Sequence, residues 1–259
     1  MHPLRLRAGL VLASATALTG ALYAAPAAHA APPVQHRVLH SGARASTHSL
    51  NWAGYMKTGS SFTSTAATWH VPTLKTTYSG YSSTWVGIDG GTSTDRYLIQ
   101  TGTEADVIGG RAVYRAWWEV ITPTNVAPET LFSMAVHPGD TIRASVAKNS
   151  SGSWTMSLRN YTTGQSTSHT SSFSGPGRTA EWIQEDTDVN GYISAAPDWQ
   201  KVAFSTIRLN SVSPALSSTQ AMDIYDSHGT RETSTAAPVT TKDGFTVTWL
   251  APGTKTYAG

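Results

Sequence analysis

Residues 140–164 read "DTIRASVAKNSSGSWTMSLRNYTTG". Two runs in which apolar and polar residues alternate are joined by a turn that contains glycine, and a second such turn closes the stretch. Successive side chains of a β-strand point to opposite faces, so this alternation is typical of strands that bury one face. The stretch therefore predicts a pair of adjacent strands joined by a turn, and a fold built from such strands.

The same texture continues from "NWAGY" at residues 51–55 to "GFTVTWL" at residues 244–250. Short runs rich in Val, Ile, Thr, Tyr and Trp are separated by Gly, Ser, Asn and Pro turns. Their spacing of roughly eight to twelve residues is typical of sandwiches and barrels. The sequence shows no helical stripe, internal repeat or linker. It predicts a single all-β domain over residues 49–259.

The N-terminus has the features of an export signal. Arg5 and Arg7 form a basic head, an uncharged apolar run follows, and the small-residue motif "AHA" ends at Ala30. This order predicts a secretory signal peptide over residues 1–30. Residues 31–48 contain Pro, Arg and His without apolar periodicity, which indicates a pro-segment or a flexible leader. We expect a secreted, extracellular protein.

Charge and composition limit the partners of the mature chain. The 18 Lys and Arg include Arg5 and Arg7 of the signal, so 16 remain against 16 Asp and Glu. Nucleic acids and anionic membranes are bound chiefly by surplus Lys and Arg, so neither is expected as a partner. The chain has no cysteine, so its core alone must hold it. We expect a monomer.

Metal and nucleophile motifs are absent from the sequence. The nine histidines form no H-E-x-x-H or other close pair, and cysteine ligands are lacking. No G-x-S-x-G elbow is present, and the glycine-rich stretches lack the helix and lysine of a phosphate loop. We expect no metal and no cofactor, which leaves carboxyl and amide groups as candidates for chemistry.

Strand parity gathers such groups on one face. In three candidate strands, "TWVGIDGG", "YLIQTG" and "YRAWWEV", one parity is apolar and the other is mixed. In "AEWIQED" the amide of Gln184 breaks the apolar parity. If like parities align in one sheet, the mixed faces form an open surface with the composition of a substrate groove. The residues on that surface are Trp85, Gly87, Asp89, Leu98, Gln100, Arg115, Trp117, Glu119, Glu181, Ile183 and Glu185.

Gln100 is either hydrogen-bonded for structural reasons or used in function, because a buried amide without a partner costs about 1–3 kcal/mol.

Glu181 and Glu185 lie about 13 Å apart along a strand. They are too far apart to be the carboxyl pair of a retaining glycosidase. The residues alone leave three functions open. One is a peptidase, the second a glycoside hydrolase or lyase that uses Glu119 with Asp89 or Glu185, and the third a non-catalytic binding module with a tryptophan-rich face.

Eight short blocks resemble a known family. In chain order they are "NWAGY", "TWHVP", "STWVGIDGG", "LIQTGT", "YRAWWEV", "PGDTIRASV", "NYTTGQS" and "AEWIQED". Together they resemble the glutamic peptidases, or eqolisins, and a secreted member of bacterial type in particular. The resemblance covers most of residues 51–206. The cysteines of the fungal members are missing, and Arg115 occupies a position that is acidic in those members.

The resemblance implies a β-sandwich of two large antiparallel sheets and polypeptide substrates. It also implies a catalytic pair, Gln100 and Glu185, with Glu185 as the second glutamate of its block. Glu185 would be general base and acid, while Gln100 would orient the water and bind the oxyanion. We expect an acidic pH optimum. The implied substrate-binding residues are Trp52, Trp85, Asp89 and Glu119.

Overall fold

The computed structural model of the chain describes residues 34, 48–91, 96–239, 243–254 and 256–257. The predicted signal peptide, residues 1–30, lies outside them, as does most of the predicted leader, residues 31–48. Every regular element in the described part is a β-strand, except one turn of 3-10 helix at Ser218–Gln220. This confirms the all-β prediction. In the same part of the chain, no helix is long and apolar enough to cross a membrane.

The first large sheet has eight strands, and all neighbouring strands are antiparallel except the parallel pair at one edge. In spatial order the strands are β1 (His48–Ser49), β15 (Ala221–Ile224), β2 (Trp52–Thr58), β11 (Thr179–Asp186), β4 (Ser82–Ile88), β5 (Leu98–Ile108), β6 (Arg111–Ile121) and β7 (Thr130–Leu131).

The second large sheet has seven antiparallel strands and packs on the first. In order they are β10 (Ser166–Ser171), β9 (Trp154–Asn160), β8 (Thr141–Lys148), β3 (Ser64–His70), β14 (Lys201–Leu209), β17 (Phe245–Trp249) and β16 (Thr233–Thr235). A small third sheet contains β12 (Asp188–Val189), β13 (Tyr192–Ile193) and β18 (Thr256–Tyr257). The two large sheets confirm the predicted β-sandwich, and β8 and β9 form the adjacent pair predicted from residues 140–164.

The core between the sheets follows from the alternation in the strands. In β8, Ile142, Ala144 and Val146 are buried while the residues between them are only half-buried. Burial of each large apolar side chain stabilises the fold by about 1.5–3 kcal/mol. The polar exception, Gln184, is satisfied only in part: the Thr84 hydroxyl donates to its Oε1 at 2.6 Å, while its buried Nε2 has no hydrogen-bond partner among the described residues.

The eight-stranded sheet is buried on its outer face as well. Every residue of β4 is buried, and a second apolar cluster lies on the face turned away from the seven-stranded sheet. The sequence predicted an open surface there, which is wrong, since the mixed faces of the central strands are enclosed. The cluster consists of Trp52, Trp85, Leu98, Trp117, Ile121, Ile183 and Met222.

Candidate active site

The register of the eight-stranded sheet arranges the predicted site residues in three cross-strand rows on its outer face. Residues directly opposite each other on neighbouring strands share a face and lie in contact. The amide row runs Met56, Glu181, Gly87, Gln100 and Glu119. The tryptophan row runs Ile183, Trp85, Gly102 and Trp117, and the carboxyl row runs Trp52, Glu185, Ser83, Glu104 and Arg115.

Gln100 stands at the centre of the amide row. Its Nε2 donates to Oε2 of Glu119 at 2.8 Å, and the residue is fully buried. Its Oε1 has no hydrogen-bond partner among the described residues. A buried carbonyl oxygen left without a partner costs about 1–3 kcal/mol, so this oxygen is placed to bind something that enters the site.

Glu181, and not Glu185, lies level with Gln100. Gly87 of β4 is the cross-strand partner of both Glu181 and Gln100. Two strand spacings put the Cα atoms of Glu181 and Gln100 about 9.6 Å apart. The two side chains are therefore on the same face of the sheet, in one row, with only a glycine between them.

Glu185 does not fit the predicted convergence with Gln100. It lies four residues farther along β11, opposite Trp52 and Ser83. The strand rise and spacing together place its Cα atom roughly 16 Å from that of Gln100. The register thus makes Glu181 the glutamate of β11 that lies nearer to Gln100.

Gly87 is the position of the amide row that carries no side chain. A Cβ atom there would come within 2.8 Å of the Trp85 ring and 3.1 Å of Leu98 Cδ1. The absence of a side chain at Gly87 therefore allows the Trp85 ring and Leu98 to pack against this position of the sheet.

Glu185 orients the tryptophans instead. Its Oε2 accepts the indole N–H of Trp85 at 2.7 Å, and its Oε1 lies 3.5 Å from the Asn51 amide nitrogen. Trp52 meets the Trp85 ring edge-on, with centroids 4.9 Å apart at 77°. The Trp52 indole nitrogen is buried and has no hydrogen-bond partner in the described chain. Glu185 thus fixes the apolar wall beside the amide row.

Asp89 lies beyond the end of β4 and supports the site from its edge. Its backbone has φ 69°, a left-handed conformation that aspartate tolerates better than most residues. Its carboxylate accepts the backbone N–H groups of Gly177 at 2.9 Å and Arg178 at 2.6 Å, while its own N–H donates to the Thr179 carbonyl. The predicted groove residue therefore anchors the start of β11, the strand that carries Glu181.

A second charged cluster on the same face was missed in the sequence. Arg115 forms ion pairs with Glu104 and Asp106, the latter at 2.7 Å. Burial raises the pKa of Asp106 to about 7, despite the opposing charge of Arg115. The signal was available, because both carboxyls have the same strand parity as Gln100. Elsewhere in the described chain, no group of three or more His, Asp or Glu residues is arranged to hold a metal ion.

Known proteins are similar to this chain in fold and in sequence. The model of the Peptidase A4 family matches residues 50–249. Aspergillopepsin-2 of Aspergillus niger is 28% identical across 91% of this chain and 99% of its own length. A structure of scytalido-glutamic peptidase with a transition state analog inhibitor is 27% identical, covers 77% of this chain and 98% of that one, and has a TM-score of 0.62.

A structure of SCP-B, a member of the Eqolisin family of peptidases, in a complex with the tripeptide Ala-Ile-His is 26% identical over the same shares, with a TM-score of 0.58. The fold and these relatives define the class of protein as glutamic endopeptidase. The chain belongs to the Peptidase A4 family. The peptidase is thereby favoured over the glycoside hydrolase and the binding module that the residues alone left open.

Proposed function

We propose that the protein is a secreted endopeptidase that hydrolyses polypeptides at acidic pH with Gln100 and Glu181 as its catalytic pair. The observation that carries the proposal is the amide row, in which a buried Gln100 Oε1 without a partner faces Glu181 across Gly87. Glu181 replaces Glu185 in the role that the resemblance implied. Glu185 becomes a residue that positions Trp85.

Glu181 serves as general base and then as general acid. In its ionised form the carboxylate of Glu181 can take a proton from the attacking water. The water attacks the scissile carbonyl, and the C–N bond then breaks. The proton held on Glu181 passes to the leaving nitrogen, which restores the carboxylate for the next cycle.

Gln100 supplies orientation and oxyanion stabilisation. The Gln100 Nε2 donates to Oε2 of Glu119, so Glu119 holds the NH2 side of the amide and leaves Oε1 for the attacking water. The second N–H of Nε2 is available for the developing oxyanion. Removal of one such donor typically lowers turnover by about 10² to 10³. Glu119 is the positioning residue that fixes this orientation.

Trp52, Trp85 and Trp117 form the apolar wall for the substrate. Trp117 is held by its indole N–H, which donates to Ser83 Oγ at 2.9 Å, as Trp85 is held by Glu185. Rigid rings beside a few fixed polar groups are the usual composition of a ligand site. A relative's complex with a tripeptide supports polypeptide substrates for this wall.

Residues 31–48 act as a pro-segment in this proposal, between a signal peptide at residues 1–30 and a catalytic domain at residues 49–259. Val34 is 1% exposed, and its carbonyl accepts the backbone N–H of Glu129 at 3.2 Å. Glu129 directly precedes β7, at the edge of the catalytic sheet. The absence of cysteine and the presence of Arg115 support a member of bacterial type, distinct from the fungal enzymes.

The decisive experiment is digestion of a denatured protein between pH 2 and 8 by the wild type, Gln100→Ala and Gln165→Ala. Gln165 is exposed in a turn of the other sheet, so its variant is the matched control. We expect maximal activity at acidic pH, a loss of about 10² to 10³ for Gln100→Ala and no loss for the control. Equal activity of all three proteins, or an optimum above pH 8, would contradict the proposal.

A further inference from the structure

The outer face of the seven-stranded sheet, here called the hydroxyl face, is built from small side chains. Along β8 and β9 the residues that point away from the core alternate with buried ones, and β10 is nowhere fully buried. Two arginines stand in the middle of this face, Arg143 on β8 and Arg159 on β9. Their neighbours in the surrounding rows are Ser166, Ser168, Thr170, Ser157, Thr155, Ser145, Ala147, Ser64, Ala66 and Thr68.

The two arginines are direct cross-strand partners. Side chains in that position have Cβ atoms about 4.5–5.5 Å apart, and like charges placed there destabilise a sheet. Arg143 Nη1 lies within hydrogen-bond distance only of neutral oxygens, those of Thr68 and Thr206, at 3.1–3.4 Å. The Arg159 guanidinium lies 5.1 Å from the centre of the Tyr161 ring. In the described chain neither arginine has an ion-pair partner.

Charge on the whole sheet has one sign. Over the ranges given above, its seven strands contain no Asp or Glu. A third arginine, Arg208, pairs with Asp243 outside the strands at 2.8 Å. Lys148 and Lys201 lie at the ends of their strands, so Arg143 and Arg159 are the uncompensated charges in the middle of the face. A surface whose charges are all positive raises the local concentration of anions. The Lys and Arg residues of the seven strands are Arg143, Lys148, Arg159, Lys201 and Arg208.

Two shallow surface depressions flank Arg143. The first, of about 280 Å³, also includes Arg159 and the hydroxyls of Ser145, Ser157, Ser166 and Ser168. The second, of about 370 Å³, continues from Arg143 across β3 toward Arg208. Together they cross the strands as a track, which suits an extended chain better than a single small ion. None of the described residues that line them is aromatic.

The lining selects the chemistry of the occupant. Two guanidinium groups side by side match a carboxylate, which accepts paired hydrogen bonds from such forks. Serine hydroxyls both donate and accept, as sugar hydroxyls do. Neutral sugars are usually held by stacking on aromatic rings, and the lining offers none. An extended chain with both hydroxyls and carboxylates is a polyuronate.

We infer that the hydroxyl face binds an acidic polysaccharide, with Arg143 and Arg159 sharing one of its carboxylates and the serines bonded to its hydroxyls. This site lies on the sheet opposite to the catalytic one and goes beyond the proposed function. A bound polyuronate relieves the repulsion between the two arginines. It also holds the enzyme on an acidic surface through the sheet that does not carry the catalytic pair.

The test is binding of the purified protein to soluble polygalacturonate at low ionic strength, with dextran as the neutral comparison. The double variant Arg143→Ser/Arg159→Ser is compared with Arg96→Ser/Arg111→Ser, a control that removes the same charge from exposed positions outside the seven-stranded sheet. We expect the first to bind at least about tenfold more weakly and the control to bind within about twofold of wild type. Dextran should not bind.

Equal losses in both double variants would show diffuse attraction and overturn the inference, as would wild-type binding by the Arg143/Arg159 variant. Binding of double-stranded DNA as tightly as polygalacturonate would overturn the polysaccharide assignment. Thermal melting provides a check on folding, because removal of a like-charge pair should leave the melting temperature unchanged or higher. Polygalacturonate should raise the melting temperature of the wild type and not that of the Arg143/Arg159 variant.

Discussion

The two large sheets of the sandwich divide the chemistry of the chain between them. The eight-stranded sheet is enclosed on both faces along its central strands. Its strands carry seven carboxyl side chains, whereas the seven-stranded sheet has one exposed face and no carboxyl in its strands. The extremes are β4, buried at every residue, and β10, buried at none. The carboxyls are Glu104, Asp106, Glu119, Glu181, Glu185, Asp186 and Asp223.

This difference shows that the unfavourable free energy of burying carboxylates is concentrated in the sheet that carries the candidate active site. A buried carboxylate is unfavourable unless it is paired, hydrogen-bonded or protonated. The eight-stranded sheet uses all three means, with Arg115 for Glu104, Trp85 for Glu185, and a raised pKa for Asp106. On the seven-stranded sheet water solvates the polar groups, and no such arrangement is needed.

A larger side chain should have the most different effects on turnover when it is placed on one sheet or on the other. Gly87→Ala places a Cβ atom against Trp85 and inside the gap between Gln100 and Glu181. Because a displacement of about 1 Å in an active site can cost about 10²-fold, we expect turnover to fall by about that factor. Ala147→Val, on the exposed face of β8, adds comparable bulk and should leave turnover unchanged. Equal turnover of both variants on a peptide substrate would argue against the amide row.

Stability should respond to pH through the carboxyls of the eight-stranded sheet and its neighbours. Burial raises the pKa of Asp186 to about 8, and burial with the adjacent Asp186 raises that of Glu232 to about 11. Both groups have pKa values near 4 in the unfolded chain. The folded state therefore holds their protons more tightly, so its stability is full below about pH 4 and falls as pH rises toward 8.

The melting temperature should thus be highest near pH 4 and fall by about 5 °C or more by pH 8. Glu185 and Asp226 add to the negative charge around this pair. Asp186→Asn removes one of the two protons and should flatten the profile. Thermal melts across this range check the sign, and a melting temperature that rises from pH 5 to pH 8 would contradict it.

The smallest expected difference between the two sheets is in the free energy of unfolding lost when a threonine is replaced by alanine. Thr101 of β5 is fully buried, and its hydroxyl donates to the Trp117 carbonyl at 2.7 Å. Thr170 of β10 is exposed and bonds only to Thr155 among the described residues. Thr101→Ala should lower the free energy of unfolding by about 1–3 kcal/mol, and Thr170→Ala by less than about 0.5 kcal/mol. Urea denaturation measures both, and similar losses would refute the contrast between the sheets.

Strand spacing in the sequence was enough to predict an all-β domain, strand parity predicted the membership of the polar face, and the family resemblance implied the sandwich. Parity placed Gln100, Glu119, Glu181 and Glu185 together because a side chain's face depends only on its position within one strand. It could not order them along the sheet. The contact between Trp85 and Glu185 joins residues 100 positions apart, and no short turn links β11 to its neighbours to set the register.

The sequence also could not predict local backbone geometry or the hydrogen-bond partners of buried polar groups. Parity assumed that β4 continued through Asp89, but the strand ends at Ile88 and the chain turns with a positive φ. Gln184 interrupts an apolar face, and Thr84 on another strand hydrogen-bonds its Oε1. Both outcomes depend on partners about 90–100 residues away, which sequence periodicity does not reveal.

The most direct test of the account compares the turnover numbers of Glu181→Gln and Glu185→Gln on one peptide at the wild-type pH optimum. If Glu181 is the base that shares a water molecule with Gln100, its variant loses at least about 10²-fold. Glu185→Gln still accepts the Trp85 N–H and should retain at least about a tenth of the activity. A larger loss for Glu185→Gln than for Glu181→Gln would contradict the assignment and move the catalytic centre to the carboxyl row.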